Sequence, residues 1–293
     1  MLRIEQVTRT FGPTVALDAV SFDVPDGHLV GFVGGNGAGK TTAMRIIMGL
    51  LQPDAGTVHW QGRQITQRDR RRFGYMPEER GLYPKQPVLD QLVYLARLHG
   101  QSVPAARAQA GGLLERFGLA DRLKDKLEKL SLGNQQRVQI VAAVMSTPEC
   151  LILDEPFSGL DVDAVDEMVG LLREFTGRGV PVLFSSHQLD LVERICDRLV
   201  ILSRGRLVAA GSQDELRSRG VVRYRLVMDV DAGWVRQAPG VQVDELTGGT
   251  ALLQFTEPDA QRRLLTAALE RGNVLELARL RPSVSDIYRE VTA

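Results

Sequence analysis

Nine consecutive residues, GGNGAGKTT at positions 34–42, combine four glycines with one lysine and two threonines. Glycines allow a backbone to curl closely around an anion, and a lysine adds positive charge. The stretch matches the pattern G-x-x-x-x-G-K-[ST] in full, after an apolar run at 29–33 and before helical spacing of apolar residues. It therefore predicts a loop that binds the phosphate chain of a nucleotide, rather than a simple flexible turn.

Each part of this loop has an expected role. The backbone amides and the N-terminus of the following helix would bind phosphate oxygens, and Lys40 would neutralise the β- and γ-phosphates. The Thr41 hydroxyl would be a ligand of Mg²⁺. The candidate phosphate-binding residues are Gly34, Asn36, Gly37, Ala38, Gly39, Lys40, Thr41 and Thr42.

An acidic pair follows the apolar segment 150–153, in the sequence CLILDEP. Asp154 and Glu155 would stand at the carboxyl end of a strand, where ligands bind in open α/β sheets. Asp154 suits binding of Mg²⁺ through water, and Glu155 is placed to orient and deprotonate an attacking water. Acidic pairs at strand ends are common, so this pair gains its meaning from the lysine loop.

Three further motifs extend the pattern. LSLGNQQRV lies at 130–138, SGLD at 158–161, and SSHQ brings in His187. Each motif is weak by itself, because an isolated histidine after a strand is usually a core or surface residue. In this order and spacing, across residues 1 to about 215, they resemble the ABC-type ATPases, with LSLGNQQRV as the family's signature segment. An ordinary P-loop kinase or GTPase would lack that segment.

The resemblance implies a head-to-tail pair of ATPase domains, in which each ATP lies between one subunit's phosphate loop and the other's signature segment. Glu155, His187 and Lys40 would be the catalytic residues, with His187 touching the γ-phosphate. Asp161 would link the two sites. Phe11 matches the aromatic residue that stacks on adenine, although a Phe at the end of a first strand is as often a core residue. The residues expected to approach the partner's γ-phosphate are Ser131, Gly133 and Asn134.

The sequence departs from the family pattern at two places. GYMPEERGLYP puts Glu78 where the family usually has glutamine, at a position that meets Mg²⁺ and the attacking water. A carboxylate still accepts and coordinates there, but it adds negative charge. In the signature, Leu132 and Asn134 replace the commonest Gly and Gln. Both departures resemble an exporter-type subset that carries a PEERGLYP segment, an LSxGNQQ signature and a small C-terminal domain.

The composition is that of an ordinary globular chain. Of 293 residues, 44% are hydrophobic and 25% are charged. Lys and Arg together number 36, as do Asp and Glu, so no net positive charge attracts nucleic acid or an acidic membrane. Cys150 and Cys196 stand far apart, which favours buried thiols in a reducing compartment. The N-terminus lacks a signal-peptide pattern, and no apolar run has the length of a transmembrane segment.

The elements that must position these residues alternate between strand and helix. Near-continuously apolar strands predict a parallel sheet that is covered on both faces, and antiparallel strands are expected before it at the N-terminus. Together these elements predict an α/β P-loop ATPase domain over residues 1–220. A helical subdomain is expected at about 87–145. Residues 221–293 predict a small α+β domain, whose β-α-β-β-α-β order is that of a ferredoxin-like unit. Its last helix would begin at Ser283, with Asp286 completing a capping box.

The leading hypothesis is the ATP-hydrolysing subunit of a membrane exporter, with ATP and Mg²⁺ as cofactors. It would form a homodimer, or a heterodimer with a related ATPase subunit, at the cytoplasmic face of the membrane. A separate transmembrane permease would dock between Glu78 and Leu98, where Leu82 and Tyr83 either offer exposed contacts or cap the helical subdomain.

Two other classes of protein compete with this hypothesis. An ABC-type ATPase acting on DNA or the ribosome without a membrane partner is the main alternative. The long heptad inserts and second cassettes of those classes are missing from the sequence, and no nucleic-acid partner is expected. A regulatory module that holds ATP without turnover is disfavoured by Glu155 and His187.

Overall fold

The computed structural model describes residues 1–79, 81–219 and 222–280, together with 286 and 288. The chain divides into two compact units, the first over Met1–Gln213 and the second from Asp214 onward. The predicted domain boundary, between residues 220 and 221, falls on two residues outside the described part of the chain, as does Ser283 of the predicted capping box.

The described strands alternate with helices over most of the first unit. The strands are β1 (Leu2–Phe11), β2 (Thr14–Val24), β3 (Leu29–Val33), β4 (Ala55–Trp60), β5 (Arg63–Gln64), β6 (Phe73–Met76), β7 (Cys150–Leu153), β8 (Val182–Ser186), β9 (Arg198–Ser203), β10 (Arg206–Ser212), β11 (Arg223–Met228), β12 (Val241–Thr247), β13 (Thr250–Phe255) and β14 (Val274–Leu280). The α-helices are α1 (Lys40–Ile47), α2 (Gln67–Arg70), α3 (Val88–Leu98), α4 (Val103–Arg116), α5 (Leu132–Val144), α6 (Val162–Gly177), α7 (Leu189–Ile195), α8 (Gln213–Arg219) and α9 (Ala260–Leu269).

The first unit contains two sheets. A four-stranded antiparallel sheet has the order β2-β1-β4-β5, and a six-stranded sheet has the order β10-β9-β3-β8-β7-β6. In the larger sheet all neighbours are parallel except the β9–β10 hairpin. Strands β3, β7 and β8 are buried along their whole length, as expected for parallel strands covered on both faces. Their carboxyl ends share one edge, which brings residues 34, 154 and 187 close together.

Helix α1 anchors the phosphate loop to the core. Ala43, Met44, Ile46 and Ile47 are buried and pack with residues of both sheets, among them Leu17 and Phe32. The glycine before the helix is required by its surroundings, because Gly39 has a φ of 106° and a Cβ there would lie 2.4 Å from the Ala16 carbonyl oxygen. A residue with a side chain could therefore not replace Gly39 without a shift of the loop or of strand β2.

Helices α3, α4 and α5 lie within the segment for which the sequence predicts a helical subdomain. Helices α3, α4 and α5 pack on one another through buried residues that include Leu92, Ala106, Leu114, Val138 and Val141. Strand β6 is an edge strand of the large sheet, and it pairs with β7 next to this subdomain. The signature segment is the start of helix α5.

The second unit is a four-stranded antiparallel sheet with the order β12-β13-β11-β14. Leu226 and Leu253 of the sheet share a buried core with Leu264 and Ala268 of helix α9. The predicted β-α-β-β-α-β order is present with one correction. The first connection carries a 3-10 helix at Gly233–Gln237 instead of an α-helix, because Gly233 and the nearby Pro239 leave room for little more than one turn.

The apolar runs at 2–8 and 20–24 predict the first two strands, and these limits are wrong. Strand β1 continues to Phe11 and β2 begins at Thr14, because the two strands pair up to Phe11 and Thr14 despite the polar residues between their apolar ones. Strands β4, β5 and β6 were not predicted, since these short segments lack a continuous apolar run, and β10, which pairs with β9, was not predicted either. Both cysteines are buried as predicted, and burial raises the pKa of each thiol.

Candidate functional site

The phosphate loop connects β3 to α1 and encloses the Lys40 side chain. Lys40 is 8% exposed, and its Nζ donates hydrogen bonds to the carbonyl oxygens of Gly34 at 2.7 Å and Gly35 at 3.3 Å. The ammonium group is thus held by the loop's own carbonyls at the N-terminus of a helix, where anions are stabilised. An incoming phosphate would find the positive charge already in place.

The acidic pair lies at the end of β7, and its two carboxylates have different surroundings. Asp154 is 1% exposed; its Oδ1 accepts a hydrogen bond from the Ser185 hydroxyl at 2.5 Å, whereas its Oδ2 is buried without a hydrogen-bond partner among the described residues. Buried polar atoms of this kind call for an explanation such as an ion or a water. Asp154 Oδ2 is therefore a candidate atom for binding a hydrated cation.

Glu155 is held from its backbone and from its side chain. Its backbone nitrogen donates to the Ser185 hydroxyl at 2.8 Å, and its φ of 51° is a left-handed conformation that non-glycine residues rarely adopt. Its Oε2 lies 2.9 Å from Nδ1 of His187, just after β8. The predicted catalytic residues Glu155 and His187 are thus in direct contact.

A cavity of about 410 Å³ runs along this edge of the sheet. It collects most of the predicted nucleotide-binding residues on one surface. The lining residues are Phe11, Thr14, Ala16, Asn36, Gly37, Ala38, Gly39, Lys40, Thr41, Thr42, Glu78, Asp154 and Glu155. Thr14 and Ala16 were missed by the sequence analysis, because they belong to the part of β2 that lacks a strand pattern.

Phe11 stands at the end of β1 and is 47% exposed, so it is not a core residue. The guanidinium carbon of Arg9 lies 4.9 Å from the centre of its ring, and Asp54 binds both Arg9 and Thr10. Arg9 covers one face of the ring, in the geometry of a cation–π contact. The aromatic ring borders the cavity as a base-stacking residue would.

Glu78 contributes a second carboxylate to the cavity, and its Oε2 lies 3.4 Å from the Thr41 hydroxyl. Together with Asp154 Oδ2, the Glu78 carboxylate and the Thr41 hydroxyl supply oxygen atoms, which are the ligands that Mg²⁺ prefers. Within the described ranges, no cluster of three or more His, Cys, Asp or Glu side chains could hold a metal by itself. Protein sites for Mg²⁺ commonly combine one or two carboxylates with phosphate oxygens and water, so these residues fit that ion.

The signature residues lie outside the cavity lining. Ser131 caps helix α5 by accepting a hydrogen bond from the Asn134 backbone nitrogen at 3.3 Å, and Ser131 and Leu132 are exposed. Gly133 packs so tightly that a Cβ there would lie 2.7 Å from the carbonyl oxygen of Gly159. The structure therefore places Ser131, Gly133 and Asn134 at a separate helix start, where Ser131 is exposed and Gly133 and Asn134 are half-buried.

Two residues of the signature segment tie helix α5 to the loop that follows Asp154. The Gln136 amide donates to the carbonyl oxygens of Glu155 and Pro156, at 3.0 and 3.2 Å. Arg137 forms an ion pair with Asp161, with a shortest distance of 2.8 Å, and Asp161 also caps helix α6. The sequence motif contains both residues, but no pattern in it shows that their side chains turn toward Glu155 and Asp161.

Family models cover both units. The model described as ABC transporter matches residues 17–158, and the one described as ATP-binding protein DrrA1-3-like, C-terminal domain, matches residues 211–292. The ABC transporter ATP-binding protein YhaQ of Bacillus subtilis is 40% identical over 291 residues, covering 99% of this chain and 98% of that protein. The chain belongs to the family of ABC transporter ATP-binding proteins. This family of ATP-binding cassettes hydrolyses ATP to power transport.

Other relatives of this ABC ATP-binding protein carry names of export or resistance. The linearmycin resistance ATP-binding protein LnrL of Bacillus subtilis is 33% identical, covering 75% of this chain and 71% of that protein. The Nod factor export ATP-binding protein I of Burkholderia orbicola is 36% identical, covering 72% of this chain and 70% of that protein.

Solved structures show the same fold. An ATP-binding subunit of an ABC transporter is 33% identical with a TM-score of 0.70, over 75% of this chain and 92% of that one. The dimeric structure of the bacterial cassette MJ0796 has a TM-score of 0.67 at 24% identity, over 72% of this chain and 98% of that one.

Within the described residues, no helix of the ABC protein is long and apolar enough to cross a membrane.

Proposed function

We propose that this ABC ATP-binding protein hydrolyses Mg-ATP at the interface of a head-to-tail dimer, at the cytoplasmic face of a membrane. The motion of the dimer would drive a separate transmembrane permease that exports its substrate. The single observation that carries the proposal is that, within one chain, the phosphate-binding residues and the signature segment lie in separate places.

This division separates phosphate binding from the signature segment. Lys40, Thr41, Asp154 and Glu155 border one cavity, whereas Ser131 and Leu132 are absent from its lining and stand exposed at a helix N-terminus. A helix N-terminus stabilises negative charge, but among the described residues this one does not border the cavity of the phosphate loop. A second subunit in head-to-tail orientation would complete both sites, with each signature segment facing the other subunit's γ-phosphate.

Glu155 is assigned as the general base. Its Oε2 is occupied by His187, so Oε1 would accept the proton of the water that attacks the γ-phosphorus. The bond from that phosphorus to the bridging oxygen breaks as ADP leaves, and Lys40 and the loop amides stabilise the charge. His187, whose side chain is 56% exposed, would contact the γ-phosphate from the side opposite the loop.

Asp154 Oδ2, Thr41 and Glu78 are the residues we assign to Mg²⁺ binding. Bound there, Mg²⁺ would neutralise charge on the β- and γ-phosphates. The role of Asp161 would be to connect the two sites, since it is joined to the signature helix through Arg137.

An apolar groove of about 280 Å³ supports the assignment of a permease docking site. It lies between strand β6 and helices α3 and α5, and Leu82, Leu95 and Ala96 are among its lining residues. Gln139 also lines it; this residue is 4% exposed, and neither its amide nitrogen nor its amide oxygen has a partner among the described residues. Tyr83 and Leu98 are 53% and 66% exposed nearby in sequence. Export is supported by the names of the Nod factor and linearmycin relatives.

The Glu155→Gln variant tests the proposed ATPase. We expect ATP turnover to be lost while ATP binding is kept, and we expect the variant to form a stable dimer with ATP and Mg²⁺ in size-exclusion chromatography. Glu128→Gln, which changes the charge of an exposed residue in the same way, is the control. Unchanged turnover in Glu155→Gln would refute the assigned base, and a monomer at saturating Mg-ATP would refute the homodimer.

The docking groove is tested by co-purification with the membrane subunit. Leu98 is exposed at the end of helix α3, between Ala96 and His99, which line the groove, so Leu98→Glu should reduce recovery of the transmembrane protein and leave ATP binding intact. Leu269→Glu is the matched control, because Leu269 is 62% exposed and lies in the second unit. Equal recovery with both variants would contradict the assignment of the groove.

A further inference from the structure

One buried hydroxyl contacts both residues of the acidic pair. Ser185, the last residue but one of buried strand β8, is 0% exposed. Its Oγ donates to Asp154 Oδ1 at 2.5 Å and accepts from the backbone nitrogen of Glu155 at 2.8 Å. The hydroxyl has one proton and two lone pairs, and these two bonds use the proton and one lone pair.

We propose that Ser185 is a positioning residue for ATP hydrolysis, acting through Asp154 and Glu155. It would fix which oxygen of Asp154 is available to the cation, and the direction in which Glu155 leaves the end of β7. This inference rests on the proposed roles of Asp154 and Glu155.

The two oxygens of Asp154 show how such positioning works. Oδ1 is held by the short, charge-assisted bond to Ser185, and Oδ2 is buried without a partner among the described residues. While Oδ1 is held, the carboxylate does not rotate, so Oδ2 keeps one direction. Groups that orient the ligands of a metal in this way typically change metal affinity or activity by about 10- to 100-fold when they are removed.

The backbone of Glu155 needs the same support. Its φ of 51° is a strained conformation, which persists only where the surroundings hold it in place. The hydrogen bond from its nitrogen to Ser185 is one such restraint, and its carbonyl oxygen accepts two others, from the Gln136 amide and from the backbone nitrogen of Ser158. Ser185 therefore holds the backbone that aims the Glu155 carboxylate toward His187.

The next residue gives a matched comparison. Ser186 is 2% exposed, and its hydroxyl accepts a hydrogen bond from the backbone nitrogen of Gln188 at 3.0 Å. Its recorded hydrogen bond thus closes the turn after β8 and involves neither Asp154 nor Glu155. Ser186→Ala removes a buried hydroxyl from the same strand end and reports the cost of that loss alone.

The experiment compares the wild type, Ser185→Ala and Ser186→Ala in the full chain. Binding of a fluorescent ATP analogue is titrated in EDTA and then at increasing Mg²⁺, and Mn²⁺ binding in the presence of ATP is followed by electron paramagnetic resonance. For Ser185→Ala we expect that the Mg²⁺ concentration needed for half of the increase in nucleotide binding rises about tenfold or more. The affinity for the nucleotide in EDTA should stay within about twofold of the wild type. Ser186→Ala should keep the wild-type Mg²⁺ requirement.

Several results would overturn the inference. They are an unchanged Mg²⁺ requirement in Ser185→Ala, an equal shift in Ser186→Ala, or an equal loss of nucleotide affinity with and without Mg²⁺. Should Ser185→Ala fail to fold, Ser185→Cys takes its place, because a thiol is similar in size and a weaker hydrogen-bond donor; a wild-type Mg²⁺ requirement there would be equally contradictory. A wild-type protein without Mg²⁺-dependent ATP binding would instead refute the proposed function.

Discussion

Gln136 and Glu155 are joined by a hydrogen bond of 3.0 Å from the side-chain amide of the first to the backbone carbonyl of the second. Gln136 lies in the second turn of the signature helix, and Glu155 is the proposed general base. The bond extends to Pro156, and the next helix residue, Arg137, binds Asp161. The start of helix α5 thus holds the loop from Glu155 to Asp161 at both ends.

Loss of this bond should slow hydrolysis without preventing ATP binding. A neutral hydrogen bond contributes about 0.5–1.5 kcal/mol, so we expect Gln136→Ala to lower kcat roughly fivefold through misplacement of Glu155. Steady-state ATPase assays and nucleotide titrations measure the two effects separately. Gln135→Ala is the comparison, since Gln135 donates to the Leu130 carbonyl oxygen instead. Identical kcat values for the two variants would contradict the role of the bond.

A methyl group at Gly133 should disturb the protein where one at Gly112 does not. A Cβ at Gly133 would lie 2.7 Å from the Gly159 carbonyl oxygen, whereas nothing lies within 4 Å of a Cβ at Gly112, which is exposed in helix α4. We expect Gly133→Ala to destabilise by about 1–3 kcal/mol and Gly112→Ala to stabilise by about 0.5–1 kcal/mol. Urea unfolding followed by circular dichroism measures both. Equal urea midpoints for the two variants would show that the loop at Gly159 shifts to accommodate the added methyl group without a loss of stability.

Removal of the Lys40 ammonium should weaken ATP binding. Hydrogen bonds to charged groups contribute about 1.5–3 kcal/mol, so Lys40→Ala should lower the affinity for ATP about 10- to 100-fold. Isothermal titration calorimetry measures this loss, and Lys124→Ala, at an exposed position, controls for the change in net charge. Wild-type affinity in Lys40→Ala would contradict the assignment of the loop to phosphate binding.

Motifs predict the parts of the site in which the residue type itself does the chemistry. Lys40, Thr41, Asp154 and Glu155 meet in one cavity because parallel strands end at a common edge, a consequence of the alternating strands and helices. The family and the fold class followed from the same motifs. Contacts such as Ser185 with Asp154 have no sequence pattern, because they join residues that are distant in the chain through one particular packing of strands.

The elements that sequence analysis missed or misplaced have different physical causes. Strand β6 has only the residues FGYM, and it is stabilised by pairing with β7 rather than by its own apolar pattern. The end of β1 and the start of β2 are partly exposed, so apolar and polar residues need not alternate along them. The 3-10 helix at Gly233–Gln237 reflects a local limit on length, which the wider β-α-β-β-α-β order does not reveal.

The close approach of Gly133 to Gly159 joins segments that would serve different ATP molecules in a dimer. The signature segment would face the partner's nucleotide, and the loop from Glu155 to Asp161 would serve the chain's own. In the proposed dimer, binding at one site would bias the other, and thermodynamic linkage would make this effect reciprocal: each ATP would alter the affinity for the other by the same factor. The two sites of such a dimer would form one cooperative unit, and a binding isotherm would report their coupling free energy as well as their intrinsic affinities.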